Sequence, residues 1–201
     1  MTPTPSGAWR LLRYITNMDR QAHRFKYIVT ALCVTVAAWA PASADTLDDL
    51  FADLAQADET TAPRIERQIT AEWEKSGSAS FDLLMRRGKE ALADGDPEAA
   101  LDHFSALVDH APDFGAAYGG RSAAYYALGL TGPALDDLRQ SLVLNPRNFD
   151  AMRGVAVILE NLERPADALE VYQTILDLHP SQPEARAATA RLKLQLEGQA
   201  I

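Results

Sequence analysis

The chain has 201 residues, with 19 lysines and arginines against 28 aspartates and glutamates and a single cysteine. That length allows one domain with a substantial core, or a short repeat array. A net charge of −9 repels nucleic acid and anionic lipid, whose binding depends on neutralising negative charge, and so excludes a nucleic-acid-binding function.

Arg10, Arg13, Arg20, Arg24 and Lys26 form a basic stretch opposed only by Asp19. An apolar run follows from Tyr27 to Ala40, and Ala42-Ser43-Ala44 is a small-x-small site. That order predicts a secretory signal peptide over residues 1–44, cleaved between Ala44 and Asp45, and hence a periplasmic or secreted protein. An uncleaved anchor is the alternative, but the apolar run has 14 residues where a spanning helix needs about 20, and it ends in Pro41. No stable membrane span remains after cleavage. Translation from Met18 instead of Met1 would give a leader of ordinary length. Cys33 is a poor lipid-attachment site, because Leu32 precedes it where a small residue is wanted. With Cys33 removed, the mature chain has neither a disulfide nor a thiolate metal site. It keeps 14 basic against 27 acidic residues, a net of −13, which favours solubility and basic partners.

Two short helices are predicted over 45–80. Leu47, Leu50, Phe51 and Leu54 form an i, i+3, i+4, i+7 stripe with Asp45 as a candidate cap, and Ile65, Ile69 and Trp73 form a second stripe ending near Gly77. They either seal the first unit of the array that follows or form a recognition element of their own.

From residue 81 the chain repeats with a period of 34. Pro112, Pro146 and Pro180 keep that spacing, as do Ala100, Ala134 and Ala168, and Phe104, Leu138 and Tyr172. Leu84, Tyr118 and Met152 do so as well, and Gly88, Ser122 and Ala156 supply a small residue at one offset. The windows are 81–114, 115–148 and 149–182, each reading as two helices. The first helices carry Leu84-Gly88-Ala91, Tyr118-Ser122-Tyr125 and Met152-Ala156-Leu159 on one face. The second helices are predicted to bury Ala100, Phe104 and Leu107; Ala134, Leu138 and Leu142; and Ala168, Tyr172 and Ile175. Proline opens or closes these helices because it can start one but cannot continue one. Residues 183–201 supply a final helix from Pro183 with Ala187, Ala190 and Leu194 at helical spacing, predicted to cap the array.

The A-x₃-F and P columns in 34-residue windows resemble the tetratricopeptide repeat (TPR) family. The resemblance covers 81–182 and departs where Arg87 and Arg121 replace the motif's leucine and Ala91 its tyrosine. The two arginines read as structural, with Asp102 or Asp136 as partners. The resemblance implies an all-α, right-handed superhelical solenoid of three helix-turn-helix units with terminal capping helices. It also implies a concave wall, built from the first helices, that holds a protein or peptide.

Helical offsets place Met85, Lys89, Leu92, Tyr126, Arg153, Val157 and Asn161 on that wall, with Arg191 joining from the last helix. An aromatic and several cations there suit an extended peptide, held by its carboxylate; the same residues could equally be rim packing. One TPR subgroup captures chaperone C-termini with a lysine-and-asparagine clamp. At the matching places stand Met85, Lys89, Gly120 and Gly154, so that activity is not implied. His103 and His110 are two helical turns apart, about 10 Å, too far to share a metal. His179, at a helix end, is placed to suit the helix dipole as a cation. No nucleophile stands beside a base and no phosphate-binding glycine loop occurs. Neither catalysis nor a cofactor is implied. The function expected is an exported interaction scaffold of the bacterial cell envelope, the alternatives being an accessory subunit of one envelope complex or an enzyme.

Overall fold

The computed structural model describes residues 42–199, so the predicted leader up to Pro41 lies outside the described residues. Among the described residues every regular element is helical: α1 (Ala42–Gln56), α2 (Ala62–Trp73), α3 (Ala79–Ala93), α4 (Pro97–His110), α5 (Gly115–Ala127), α6 (Thr131–Leu144), α7 (Phe149–Asn161), α8 (Pro165–Leu178) and α9 (Pro183–Gln199). The pairs α3–α4, α5–α6 and α7–α8 are the three hairpins of the 34-residue windows. They stack in chain order, with α9 against α8.

Each hairpin turns in the same way. Gly95, Gly129 and Glu163, spaced by one period, have φ of 76°, 74° and 58°. The next amide in each case reaches back to the carbonyl five residues earlier (Asp96 to Ala91, Leu130 to Tyr125, Arg164 to Leu159), closing the first helix with a left-handed residue. Pro97 and Pro165 then occupy the first turn of the second helices, where an amide hydrogen has no intrahelical partner. Asp96 caps α4 by accepting from the Ala99 amide at 3.0 Å, and Asn148 caps α7 by accepting from the Ala151 amide at 3.0 Å.

The period-34 columns of the second helices are the interior, whereas Pro112, Pro146 and Pro180 are exposed and Leu84 and Tyr118 half-buried. Ala100, Phe104, Leu107, Ala134, Leu138, Leu142, Ala168, Tyr172 and Ile175 are all buried. Phe104 is fully enclosed and its ring passes between two inner helices: a Cβ on Gly88 would lie 2.6 Å from it, and one on Gly120 2.4 Å. Those glycines exist to admit the ring. The Arg121 guanidinium lies between the rings of Tyr118 and Tyr125 and makes two hydrogen bonds, at 2.7 and 2.8 Å, to Asp137. The partner is therefore Asp137, which faces inward on α6, and not Asp136, which is exposed. Arg87 is exposed.

Three further expectations are corrected. α9 buries Ala185, Ala188 and Leu192, whereas Ala187, Ala190 and Leu194 face solvent. Alanines on both faces left the stripe ambiguous, and Gln182 fixes the register by accepting from the Ala185 amide. His179 is buried beside Phe149, and burial pulls its pKa below the usual imidazole value, so it is neutral and not a dipole-bound cation. The largest difference concerns α1–α2. This hairpin packs on the third repeat and α9, not on the first repeat. Phe51 and Trp73 close on Phe149 with ring centroids 6.3 and 5.0 Å away. Arg147 covers the Phe51 ring and pairs with Asp48 at 2.7 Å, while Arg186 pairs with Glu59 at 2.8 Å.

The reason is which end needs covering. Seven of the 13 residues of α7 are buried (Phe149, Ala151, Met152, Val155, Ala156, Ile158 and Leu159), more than its own hairpin partner can enclose. α3 buries only Met85 and Gly88, and Arg86, Arg87, Lys89 and Glu90 are exposed on it. A polar face needs no cap.

Candidate functional site

The inner helices α5 and α7 leave a cavity of about 670 Å³ between themselves, the end of α2 and the start of α9. Gly119, Gly120, Ala123 and Gly154 form its floor, with Leu138 rising from below. A Cβ on Gly154 would approach Leu138 to 3.0 Å, as one on Gly120 would meet Phe104. Large side chains of the second helices thus reach between inner helices wherever those helices lack side chains. The floor is shallow and apolar as a result. Val157 and Ile158 continue it, and Thr70, Trp73 and Glu74 of α2 form the opposite wall.

Of the residues expected on the concave wall, Tyr126, Arg153 and Val157 line this cavity. Asn161 joins through its Nδ2, which donates to the Tyr126 hydroxyl at 2.6 Å across one repeat. Met85 and Lys89 do not reach it. Met85 is buried, and with Lys89 it borders a second hollow of about 540 Å³ that also takes in Asp82, Arg86 and Glu90. Glu74 is common to both, so the tip of α2 divides the groove.

The cations there are already engaged. Lys89 Nζ lies 2.8 and 2.9 Å from the two Glu74 oxygens. Arg153 makes one bond of 3.0 Å to Asp150 and another of 3.0 Å to Glu184. Arg191 pairs with Glu160 at 2.6 Å, and the other Glu160 oxygen accepts from Tyr172. Burial, with that carboxylate beside it, pushes the Tyr172 hydroxyl up to about 12. Burial also raises Asp150 above the ordinary carboxylate range, with Glu74 and Glu184 adding to the rise and Arg153 opposing it. Glu66 is raised too, by burial first and then by Asp150. No group of three or more His, Cys, Asp or Glu among the described residues is arranged to hold a metal ion.

Thr70, Trp73, Glu74, Asp150 and Glu184 are the wall residues that the repeat pattern missed. Four lie outside the array, and Asp150 precedes the first packing column of its repeat. For Glu74, Asp150 and Glu184 the signal was the acidic surplus of the mature chain, and for Trp73 its place in the second apolar stripe.

Stacked helical hairpins around a concave groove define a solenoid of the protein-binding class. Residues 85–136 and 133–183 each match the tetratricopeptide repeat family, and the chain belongs to that family. A TPR repeat-containing protein of Rhizobium etli is 30% identical over 153 residues, covering 76% of this chain and 75% of that protein. That match is longer than the array. The human SGT1 homolog is 31% identical over 97 residues, but the chain spans only 27% of its length. Among solved structures, the first TPR domain of Spaghetti (RPAP3) bound to an HSP90 peptide superposes with a TM-score of 0.56 at 21% identity, covering 58% of this chain and 95% of that one. The Yersinia enterocolitica type III secretion chaperone SycD, in complex with a peptide of the translocator YopD, gives 0.52 at 20% identity, covering 60% and 92%.

Proposed function

We propose that this protein is an exported interaction scaffold of the bacterial cell envelope, holding an extended segment of a partner protein in the groove between α2, α5, α7 and α9. The cavity carries the reading: about 670 Å³ with an apolar floor and charged walls, room for a few residues of a partner chain. Two structural neighbours are complexes with peptides, which supports a peptide as the ligand class. Export rests on the basic stretch, the apolar run and the small-x-small site of residues 10–44. A bacterial setting draws support from the Rhizobium relative. Binding, not catalysis, is the role proposed.

Cross-linking in the native compartment identifies the partner, and Tyr126→Ala with Ala123→Trp, which fills an exposed floor position, tests the groove. The double variant should lose the partner while keeping its helical spectrum. Undiminished capture would show that the partner binds elsewhere. For export, the amino terminus of the protein recovered from the envelope fraction should be Asp45; an intact leader on a cytoplasmic protein would refute it.

A further inference from the structure

The charges around the groove specify what kind of segment it takes. Glu74, Asp150 and Glu184 line the cavity against one cation, Arg153. Arg153 spends both terminal nitrogens on Asp150 and Glu184, and Lys89, from the adjoining hollow, is held by Glu74. A carboxylate ligand would have to displace one of these pairs and then sit among the acids it displaced. An incoming cation finds three carboxylates with only two cations already between them. Resting on the groove reading above, we propose that the site selects a lysine- or arginine-bearing stretch of the partner polypeptide, its cation seated among Glu74, Asp150 and Glu184.

Three further observations support this occupant. Trp73 lines the wall beside Glu74 and adds apolar surface there for the stem of a long cationic side chain. Val157 and Ile158 offer apolar surface along which the methylene stem of a lysine or arginine can lie while its head reaches the carboxylates. Asp150 is raised by burial first and then by repulsion from Glu74 and Glu184, with Arg153 opposing, so the three carboxylates that line the pocket act on one another there. Beyond the pocket, the mature chain's net of −13 draws basic segments toward it. On this proposal Arg153 separates two acids, and the carboxylate-holding role expected of Lys89 and Arg153 is not the one they serve.

The test is an immobilised library of random acetylated, amidated dodecapeptides, probed with the purified protein at low salt and at 0.5 M salt. Retained peptides should be enriched in lysine and arginine, and representative hits should bind about fivefold more tightly than the same peptides with glutamine in place of the cation. High salt should erase most of that preference. The Glu74→Gln/Glu184→Gln variant should keep its melting temperature, since both carboxylates reach solvent, and should lose the enrichment. Enrichment of acidic or uncharged peptides, or an enrichment unchanged in the variant, overturns the cation selection and leaves the peptide groove standing. Retention of no peptide at all overturns the groove together with it.

Discussion

Gly120→Ala probes the packing beneath the groove floor most directly. The new Cβ would lie 2.4 Å from Phe104 Cε1 and 2.7 Å from Cδ1 and Cζ. The ring cannot swing aside, because Gly88 faces it from the neighbouring inner helix, where a Cβ would already be within 2.6 Å. Alanine is worth about 1 kcal/mol over glycine inside a helix. Overpacking a filled core costs about 1–3 kcal/mol, and a pinned ring puts this site at the upper end. The net expectation is a loss of about 1–2 kcal/mol. Phe104→Ala alone should cost about 3–5 kcal/mol through the cavity it leaves. In that background the obstacle is gone, and Gly120→Ala should instead stabilise by about 1 kcal/mol. The two substitutions therefore couple by about 2–3 kcal/mol, read from urea denaturation followed by far-ultraviolet circular dichroism on the four proteins of the cycle. Additive losses, with Gly120→Ala equally harmful in both backgrounds, would mean that the ring does not fill the space between the two glycines.

Glu163→Gly should raise stability by about 1 kcal/mol, because Glu163 holds the left-handed conformation that Gly95 and Gly129 supply in the other repeats; an unchanged or lower urea midpoint would contradict this. Asp137→Ala should cost about 3–5 kcal/mol by stranding Arg121 between two tyrosines, with the side chains only 18% and 9% exposed, whereas Arg121→Met with Asp137→Leu should recover most of that loss in the same denaturation experiment. For His179, burial and then Arg186 depress the folded-state pKa below 6.5, so the unfolded chain takes up the proton first. The stability it contributes is present above about pH 6.5 and is lost as pH falls toward the folded value. Glu66, with an oxygen 3.1 Å from His179 Nδ1, has the opposite slope because its pKa is raised, as does Asp150. The comparison is thus between wild type and His179→Gln: melting temperatures should converge as pH drops from 7.5 to 5, and parallel curves would show that the imidazole is not held neutral.

The array was legible because its interior is periodic. Ala100, Phe104, Leu107 and their counterparts at 34-residue offsets face the interior, so each of these columns reports burial three times over, and all nine residues are buried. Elements outside the array carry no such repetition. The Leu47–Leu54 and Ile65–Trp73 stripes predicted two amphipathic helices, yet a stripe shows only that a face is apolar, not which surface covers it. The missing information lay in the partner: α7 carries apolar residues on two faces, and α3 does not. The same ambiguity misplaced the buried face of α9, where alanine occurs on both sides. For the groove, helical offsets pointed to Tyr126, Arg153 and Val157, which line the cavity, and to Asn161, which bonds to Tyr126, since these follow from the repeat. They could not find Trp73 and Glu74, which reach the site by folding back from outside it, nor show that Arg153 and Lys89 are already paired.

That fold-back changes what kind of object the array is. In a plain solenoid each repeat touches only its neighbours, and stability is close to a sum of local terms. Here Glu59 meets Arg186 across 127 residues, and Phe51 and Trp73 meet Phe149, so the third repeat is held by α6, α9 and the hairpin together. The first repeat belongs to a separate cluster built around Phe104. Its tie to the hairpin runs through the short turn at Gly77 and the Lys89–Glu74 pair, an exposed contact of small worth. Trp73 and Glu74 form a wall of the groove only while Phe51, Asp48 and Glu59 keep the hairpin in place. Any segment that contacts both that wall and α5 or α7 therefore binds the docked state in preference to the undocked one. It must stabilise docking by the same free energy that docking adds to its own affinity.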